Sequence, residues 1–384
     1  MSTIYFDYNA TTPLDPRVRE AMLPYWGEIF GNPSSVHHIG RRARSLLDDA
    51  RDRVATVWGA KPSEVVFTSG GTESINLAIF GAARHFRGRG RHIITSLVEH
   101  HAVLHSCEYL ANKEGFAVTY LPVDAEGRVN SESLKAAFRP DTILVSIMAA
   151  NNETGTLQPV AELGTICRER GVLFHTDAVQ WFGKEPFANI HQFNADLVSL
   201  CAHKFHGPKG AGALFIKSPL LPDPILFGGG HENERRAGTE NLAGIIGFAE
   251  AAERFIKSPV FPVEKLRPLT ERLLALVERL GDQGVRFRGA RGARLANTVG
   301  FTVRGCDSIA LLAGLDLEGI CASSGSACSA GSLEPSHVML ALGVERGEAN
   351  ALVRLSLGRE STLEEVEQVE RVIPEVIARV QRFQ

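Results

Sequence analysis

The sequence predicts an α/β protein with a large domain, built on a mostly parallel sheet flanked by helices, and a smaller α+β domain. Three observations support this fold class. Short apolar runs alternate with helix-patterned stretches over residues 60–216, which is typical of βαβ units around a parallel sheet. Longer helical patterns replace this alternation after residues 228–230. The length of 384 residues suits two or three domains of roughly 150 residues each.

The first part of the chain carries the predicted strands of the large sheet, each a short apolar run. They lie at 65–68, 92–95, 117–121, 143–148, 172–176, 196–200 and 211–216. Helical spacing separates several of them, for example over 160–170, where Leu163, Ile166 and Cys167 share one face. Because ligands of such sheets bind beyond the carboxyl ends of the strands, a site is expected in the segments that follow them.

The second part of the chain predicts a different arrangement. Two helices, two strands and a final helix with an apolar stripe are expected, at 240–257, 264–280, 297–303, 353–357 and 363–380. We assign residues 13–255 to the large domain, and residues 1–12 together with 256–384 to the small one. Small residues without periodicity at about 322–332 predict a loop, and this loop contains Cys328. An exposed thiol there can form thiolate, which is the nucleophilic form of cysteine.

The charge balance and the lengths of the apolar stretches argue against two classes of function, nucleic-acid binding and membrane binding. Lys and Arg number 41 against 44 Asp and Glu, which argues against a nucleic-acid binder with a basic face. No apolar stretch approaches the ~20 residues of a membrane span. The segment Met1–Asn9 also lacks the basic and apolar regions of a signal peptide. We therefore expect a cytoplasmic protein that binds neither nucleic acid nor membrane.

The six cysteines show no C-x-x-C pair and no zinc-ligand spacing. No resident metal site is therefore predicted, and free thiols of a reducing compartment are expected. Cys107 and Cys167, at helical positions, and Cys321, in an apolar stretch, are predicted to lie in the core. Cys306, between Gly305 and Asp307, is expected to be exposed.

Lys204 and Asp177 are the first candidates for chemistry. Lys204 directly follows a predicted strand and precedes a Gly/Pro turn, so it is held at the sheet edge, where a lysine can form a Schiff base with a carbonyl cofactor. Asp177 ends the strand one βαβ step, 27 residues, earlier. A carboxylate there would keep the ring nitrogen of pyridoxal phosphate protonated. The alternatives are a surface lysine in a turn and an aspartate that caps a helix.

The segment Ser69–Glu73 is a candidate phosphate site. It follows a strand and opens a helix, whose N-terminus attracts anions. The glycines, including Gly71, allow close approach of the backbone, and Thr72 offers a hydroxyl. The segment lacks the P-loop and G-x-G-x-x-G spacings, which disfavours a nucleotide.

These residues, together with ordered blocks over nearly the whole chain, resemble the pyridoxal-phosphate-dependent cysteine desulfurases of the NifS/IscS class. That class belongs to the class-V aminotransferases of fold-type I. The matching blocks are Tyr8–Thr12, Phe30–Pro33, Thr68–Glu73, Glu99-His100, Asn151–Gly155, His175–Gln180, His203-Lys204, Arg236–Asn241, Ser324–Pro335 and Arg354–Gly358.

The resemblance implies roles for individual residues. Lys204 would carry the cofactor and act in catalysis with Cys328 and His100. Around the ring, Asp177 would pair with the pyridine nitrogen, Gln180 with the phenolic oxygen, His100 with the ring face, and Asn152 would lie beside it. The phosphate would be held by Gly71, Thr72, Cys201, His203 and, from the second subunit of a homodimer, Thr239. Cys201 stands where the housekeeping enzymes have serine, and a thiol is the poorer donor, so this contact is the weakest.

Arg354 is predicted to bind the substrate carboxylate, with Asn32 as a second substrate contact. It lies in the apolar run 353–357, where an arginine is costly to bury unless an anion meets it. Its planar fork matches a carboxylate. The alternatives are an internal pair with a glutamate or an exposed edge position. Arg359 is expected at the surface.

The implied reaction converts L-cysteine to L-alanine and leaves the sulfur on Cys328 as a persulfide. A sulfur acceptor or an iron–sulfur scaffold protein would then receive it, and Cys328 could transiently contact a cluster. Cys201 hints at the nitrogen-fixation branch of iron–sulfur cluster assembly. The alternatives are a selenocysteine lyase or an aminotransferase of the same fold, or a catalytically idle sulfur-trafficking scaffold.

Overall fold

The structure, a computed structural model, describes residues 3–325 and 334–382. The strands in these ranges are β1 (Ile4–Tyr5), β2 (Val65–Thr68), β3 (His92–Ser96), β4 (Ala117–Leu121), β5 (Thr142–Ser146), β6 (Leu173–Asp177), β7 (Leu197–Cys201), β8 (Gly212–Ile216), β9 (Val285–Arg288), β10 (Thr298–Val303), β11 (Ile320–Cys321) and β12 (Leu352–Ser356).

The helices in the same ranges lie mainly between these strands. They are α1 (Pro16–Met22), α2 (His38–Trp58), α3 (Gly71–Phe86), α4 (His101–Glu114), α5 (Ser131–Ala137), α6 (Val160–Glu169), α7 (His231–Glu234), α8 (Leu242–Phe255), α9 (Val263–Arg279), α10 (Ser308–Leu317), α11 (His337–Ala341), α12 (Arg346–Ala349) and α13 (Leu363–Gln381). Short 3₁₀ turns occur as well, including Ile190–Phe193 and Ala202–Lys204.

The large sheet has seven strands in the order β2-β8-β7-β6-β5-β3-β4. All neighbours are parallel except β8, which runs antiparallel to both β2 and β7. Strands β5 and β7 are buried at every residue, as expected when helices cover both faces of a sheet. The predicted fold class is therefore confirmed, and the carboxyl ends of β6 and β7 place Asp177 and Cys201 at one edge.

The small sheet forms from the C-terminal part of the chain. Its order is β12-β10-β9, antiparallel throughout. Strand β1 pairs with β11, and Asp7 bridges to Ser356 at the end of β12, so the start of the chain is packed against its last strand. One hydrophobic core cluster spans both sheets, from Phe6 to Phe174 and Leu355. The domain boundaries given above stay a prediction.

Two of the cysteine predictions are wrong. Cys306 is buried and joins the hydrophobic core beneath α10. Cys321 is half-buried and lines a cavity of about 730 Å³. Because successive side chains of a strand point to opposite faces, the fully buried Ile320 turns Cys321 away from the core. Cys107 and Cys167 are buried as predicted, and burial raises the pKa of each thiol to about 12.

Candidate active site

A pocket of about 190 Å³ opens at the carboxyl ends of β6 and β7. It brings together most of the residues that the sequence predicts for the site, although they come from distant parts of the chain. The residues that line it are Asn9, Ala10, Gly71, Thr72, Ile75, His100, Met148, Ala150, Asn152, Asp177, Val179, Gln180, Cys201, His203, Lys204 and Arg354.

Lys204 ends the 3₁₀ turn that follows β7, and its amine faces this pocket. Its Nζ donates to the backbone carbonyls of Asn9 (2.6 Å) and Ala10 (2.8 Å). Within the described ranges no carboxylate accepts a hydrogen bond from it. Burial lowers the pKa of Lys204, with a smaller contribution from the guanidinium of Arg354. A larger fraction of neutral amine, the form that is both nucleophile and base, is therefore available at neutral pH.

Asp177 is the last residue of β6 and is almost fully buried. Its Oδ1 accepts from the backbone N–H of Val179 at 2.9 Å. Burial raises the pKa of the carboxyl to about 6, against the opposing effects of the Val179 hydrogen bond and of Lys204. Asp177 does not cap an α-helix, which was the alternative role for it, because a turn follows it in the chain. Its carboxylate caps only the backbone of that turn.

His100 precedes α4 and caps it, with Nδ1 accepting from the backbone N–H of Ala102 at 3.1 Å. The tautomer with hydrogen on Nε2 follows from this contact. Burial, and next the charge of Lys204, lower the pKa of His100 to about 4, so the ring is neutral at physiological pH. His101, in contrast, packs against His105 and His337.

The proposed phosphate end of the pocket is formed where α3 begins. A Cβ added to Gly71 would lie 2.8 Å from Cγ2 of Val179, so a larger residue would crowd this cradle. Burial raises the pKa of the Cys201 thiol to about 11, which keeps it neutral. His203 contacts Oγ1 of Thr11 at 3.2 Å.

Arg354 lies in β12 with its side chain 1% exposed. Its Nη2 pairs with Oδ1 of Asp7 at 2.7 Å, and its Nη1 donates to the carbonyls of Asn152 and Gly325. An internal ion pair does exist, with an aspartate and not with the glutamate that the sequence suggested. Nε of Arg354 is buried with no hydrogen-bond partner among the described residues. Arg359, outside the pocket, pairs with Asp15 at 2.7 Å.

Comparison with known proteins identifies the family. Residues 4–369 match the family model "Aminotransferase class-V". The chain belongs to this family. It is 48% identical to the cysteine desulfurase IscS of Dictyoglomus turgidum over 378 residues, 98% of this chain and 95% of that protein. It is 47% identical to the cysteine desulfurase IscS of Methanosarcina thermophila, over 99% of this chain and 93% of the relative.

Solved structures agree with the placement in the class-V aminotransferases. A NifS-like protein superposes with a TM-score of 0.90 at 39% identity, covering 98% of this chain and 99% of the other. A structure titled "SspA in complex with cysteine" superposes with a TM-score of 0.82 at 35% identity, covering 94% of this chain and 100% of the other. Within the family the chain is a pyridoxal-phosphate-dependent cysteine desulfurase, and the resemblance stated from the sequence is confirmed.

The residues of the pocket fit the cofactor of class-V aminotransferases. A carbonyl cofactor needs an amine, and Lys204 presents one whose hydrogen bonds go only to backbone carbonyls among the described residues. A protonated ring nitrogen needs a carboxylate, and Asp177 is buried at the same pocket. A phosphate fits a helix N-terminus with a glycine, and Gly71 provides this.

Three residues predicted for the site do not line this pocket. Asn32 lies in an exposed turn, where its Oδ1 accepts from the backbone N–H of Ser34. Thr239 lines a separate cavity of about 140 Å³ together with Ser69 and Arg236. Cys328 lies outside the described residues.

Two residues without a role predicted from the sequence lie at or beside this pocket. Asn9 bonds to Lys204 through its backbone carbonyl, and Lys184 is buried beside Gln180. The block Tyr8–Thr12 was a usable signal for the first. For Lys184 the sequence offered only a weak signal, its spacing of four residues from Gln180.

Within residues 3–325 and 334–382, no group of three or more His, Cys, Asp and Glu side chains could hold a metal ion. No helix in the part of the chain that the structure describes is long and apolar enough to cross a membrane.

Proposed function

We propose that the protein converts L-cysteine to L-alanine, takes the sulfur onto Cys328 as a persulfide, and supplies it for iron–sulfur cluster assembly. The observation that carries this proposal is the joining of Lys204, Asp177 and Arg354 in one pocket of a chain nearly half identical, along its whole length, to named cysteine desulfurases.

Lys204 would bind the cofactor and also move the substrate proton. Pyridoxal phosphate, when bound, supplies an electron sink for a carbanion at the substrate α-carbon. The neutral amine favoured by the low pKa of Lys204 can accept the α-proton. Asp177 would hold a proton on the ring nitrogen, and the flat, neutral ring of His100 suits a stacking position.

Sulfur transfer would form one bond and break another. The thiolate of Cys328 attacks the substrate sulfur, so an S–S bond forms while the bond between that sulfur and the substrate β-carbon breaks. The electron pair of the broken bond stays with carbon, which gains a proton on the way to alanine. No external oxidant or reductant is needed for this step. A thiol of an acceptor protein would later take the terminal sulfur.

Arg354 would orient the substrate through its carboxylate. Nε of Arg354 has no hydrogen-bond partner among the described residues, and the guanidinium lies at the pocket wall, so donors remain for an anion. Asp7 at 2.7 Å holds the guanidinium in place and offsets its charge while the pocket is free of substrate.

The remaining parts of the proposal concern the assembly. Thr239, in its separate cavity with Arg236, would reach the phosphate of the second subunit in a homodimer. Asn32 would contact substrate. We place the enzyme in the cytoplasm, with a sulfur acceptor or an iron–sulfur scaffold protein as its partner.

The decisive experiment measures both products. Purified, cofactor-loaded protein with L-cysteine and dithiothreitol should release sulfide and alanine in equal amounts. Cys328→Ala should keep the colour of the bound cofactor and release neither at the wild-type rate, whereas Cys306→Ala, a buried thiol away from the pocket, should remain active. Full turnover by Cys328→Ala would refute the role of that thiol. A strong preference for L-selenocysteine, or transfer of the amino group to a keto acid, would favour the alternative activities.

A further inference from the structure

Lys184 is a buried lysine without a carboxylate partner among the described residues. Only 2% of its surface is exposed. Its Nζ donates to Oε1 of Gln180 at 2.5 Å and to Oδ1 of Asn9 at 2.6 Å, and it lies 5.2 Å from the centre of the Phe261 ring. A buried amine is costly, so its place beside the pocket calls for an explanation.

The two acceptors of Lys184 have fixed orientations. Nδ2 of Asn9 donates to Oγ1 of Thr298 at 2.8 Å, and its Oδ1 also accepts from Asn297 at 3.1 Å. Nε2 of Gln180 donates to the backbone carbonyl of Asn9 at 3.0 Å. The same carbonyl accepts from Nζ of Lys204. Lys184, Gln180, Asn9 and Lys204 therefore form one connected network.

The side-chain amide of a glutamine can take two orientations that differ in which side carries oxygen and which carries NH₂. The N–H groups of Lys184 are directed to Oε1 of Gln180 and to Oδ1 of Asn9. Together with the Asn9 carbonyl, which accepts from Nε2 of Gln180, they select the orientation with Oε1 towards Lys184. The NH₂ group of Gln180 is then directed to the pocket side, where one N–H bonds to Asn9 and the other remains for a ligand.

We propose that Lys184 is a positioning residue that fixes the Gln180 amide as a hydrogen-bond donor to the phenolic oxygen of the cofactor. This inference rests on the proposed function, because the task of Gln180 is part of it. Without Lys184 the Gln180 amide is held only by the Asn9 carbonyl, which Lys204 also uses as an acceptor. The orientation with Oε1 towards the phenolic oxygen then becomes more populated, and it replaces an attraction by a repulsion.

The proposed role holds in either charge state of Lys184. Burial lowers its pKa well below the usual range, and the charges of Lys204 and Arg354 act in the same direction. A neutral amine keeps two N–H groups, which is the number that Gln180 and Asn9 require. That no described carboxylate pairs with Lys184 is then understandable, since the amine is needed as a donor and not as a cation.

The test follows the visible absorbance of the bound cofactor as a function of pH. It compares the cofactor-loaded wild type with the variants Lys184→Met and Gln180→Met. A donor at the phenolic oxygen lowers the proton affinity of the Lys204 nitrogen that is bonded to the cofactor. We expect each variant to titrate about one pH unit higher, the effect of one hydrogen bond to a charged group. The double variant should titrate like either single variant, because both remove the same contact.

Lys113→Met, at an exposed position of α4, is the matched control and should titrate like the wild type. A Lys184→Met variant that titrates like the wild type, or whose effect adds fully to that of Gln180→Met, would overturn the proposal. If Lys184→Met does not fold, Lys184→Leu, which also removes the donor to Gln180, is held to the same criteria. The titration needs only bound cofactor, so it still reports on Lys184 if the protein releases no sulfide. Unchanged titration with normal turnover would leave the proposed function standing.

Discussion

Asp177 shows how burial works against the charge state that a site needs. Its carboxyl is surrounded by protein, and burial raises its pKa to about 6. The folded chain without cofactor therefore carries a carboxylate at pH 8 at a cost in free energy, which a cationic ring nitrogen would relieve. His100 and Cys201 show the opposite case, because burial favours the neutral form of each. A neutral imidazole suits the proposed stacking of His100 on the cofactor ring, and a neutral thiol keeps the S–H group with which Cys201 would act as a weak donor.

Asp177→Asn should stabilise the cofactor-free protein while abolishing activity. The pKa of about 6 in the folded protein lies above the ordinary aspartate pKa of 3.8. The contribution of this group to stability is thus complete below about pH 4 and is lost as the pH rises through 6. We expect the substitution to raise the free energy of unfolding by about 2–3 kcal/mol at pH 8 and by roughly half as much at pH 5. Denaturant unfolding at both pH values measures it, and a less stable variant at pH 8 would contradict the argument.

Arg354→Lys should lower kcat/KM for L-cysteine by roughly 30- to 1,000-fold, or about 2–4 kcal/mol. Lysine retains the charge but not the planar fork. The colour of the bound cofactor should persist, since Asp7 still has a cationic partner. Arg359→Lys, at the arginine that pairs with Asp15 outside the pocket, is the control. If only the Arg359 variant is impaired, the carboxylate site has been assigned to the wrong arginine.

At the scale of elements, apolar runs and helical spacing predicted the large sheet to within one or two residues at most strand ends. Strands β1 and β11 are two residues long, too short to carry a pattern. The antiparallel direction of β8 depends on its neighbours and leaves no mark in its own apolar run. Asp177 ends a predicted strand and Lys204 closely follows one, so both could be found from the sequence. Lys184 could not, since its burial depends on Asn9 and Phe261 from other parts of the chain.

Helix α6 packs closely against the end of the turn Ile190–Phe193 at Gly164. A substitution there measures the cost in stability of a larger residue at this contact. A Cβ at Gly164 would lie 2.6 Å from the carbonyl oxygen of Asn194. Asn194, at positive φ, is also bonded to Ala161 and Thr165 of α6. Because backbone cannot easily move aside, Gly164→Ala should destabilise the protein by about 1–3 kcal/mol. Gly88→Ala, with no atom within 4 Å of the added Cβ, should change stability by less than about 0.5 kcal/mol. Equal stability of the two variants would contradict this packing argument.

At the scale of the whole molecule, the separation of Thr239 from the Lys204 pocket bears on the assembly. Thr239 is exposed and shares its cavity with Arg236, which pairs with Glu73 at 2.7 Å. In a symmetric dimer, a residue that acts across the interface belongs to the site of the other subunit. The proposed shared site therefore predicts complementation between two inactive proteins.

Lys204→Ala and Thr239→Asp should each have little activity alone, the second because a carboxylate repels the phosphate. After subunit exchange, half of the subunit pairs are mixed, and each mixed pair contains one site with both native residues. The mixture should therefore regain roughly a quarter of the wild-type activity. No recovery, despite mixed pairs seen by native mass spectrometry, would mean that Thr239 serves the site of its own subunit.

The pairing of Arg354 with Asp7 joins residues 347 positions apart. A ribosome makes Asp7 long before Arg354, and domains generally fold in the order of their synthesis. The part of the pocket wall that Arg354 forms, held in place by Asp7, does not exist while the large sheet is being made. A nascent protein interrupted before residue 354 holds Lys204 and Asp177 but not the closed pocket.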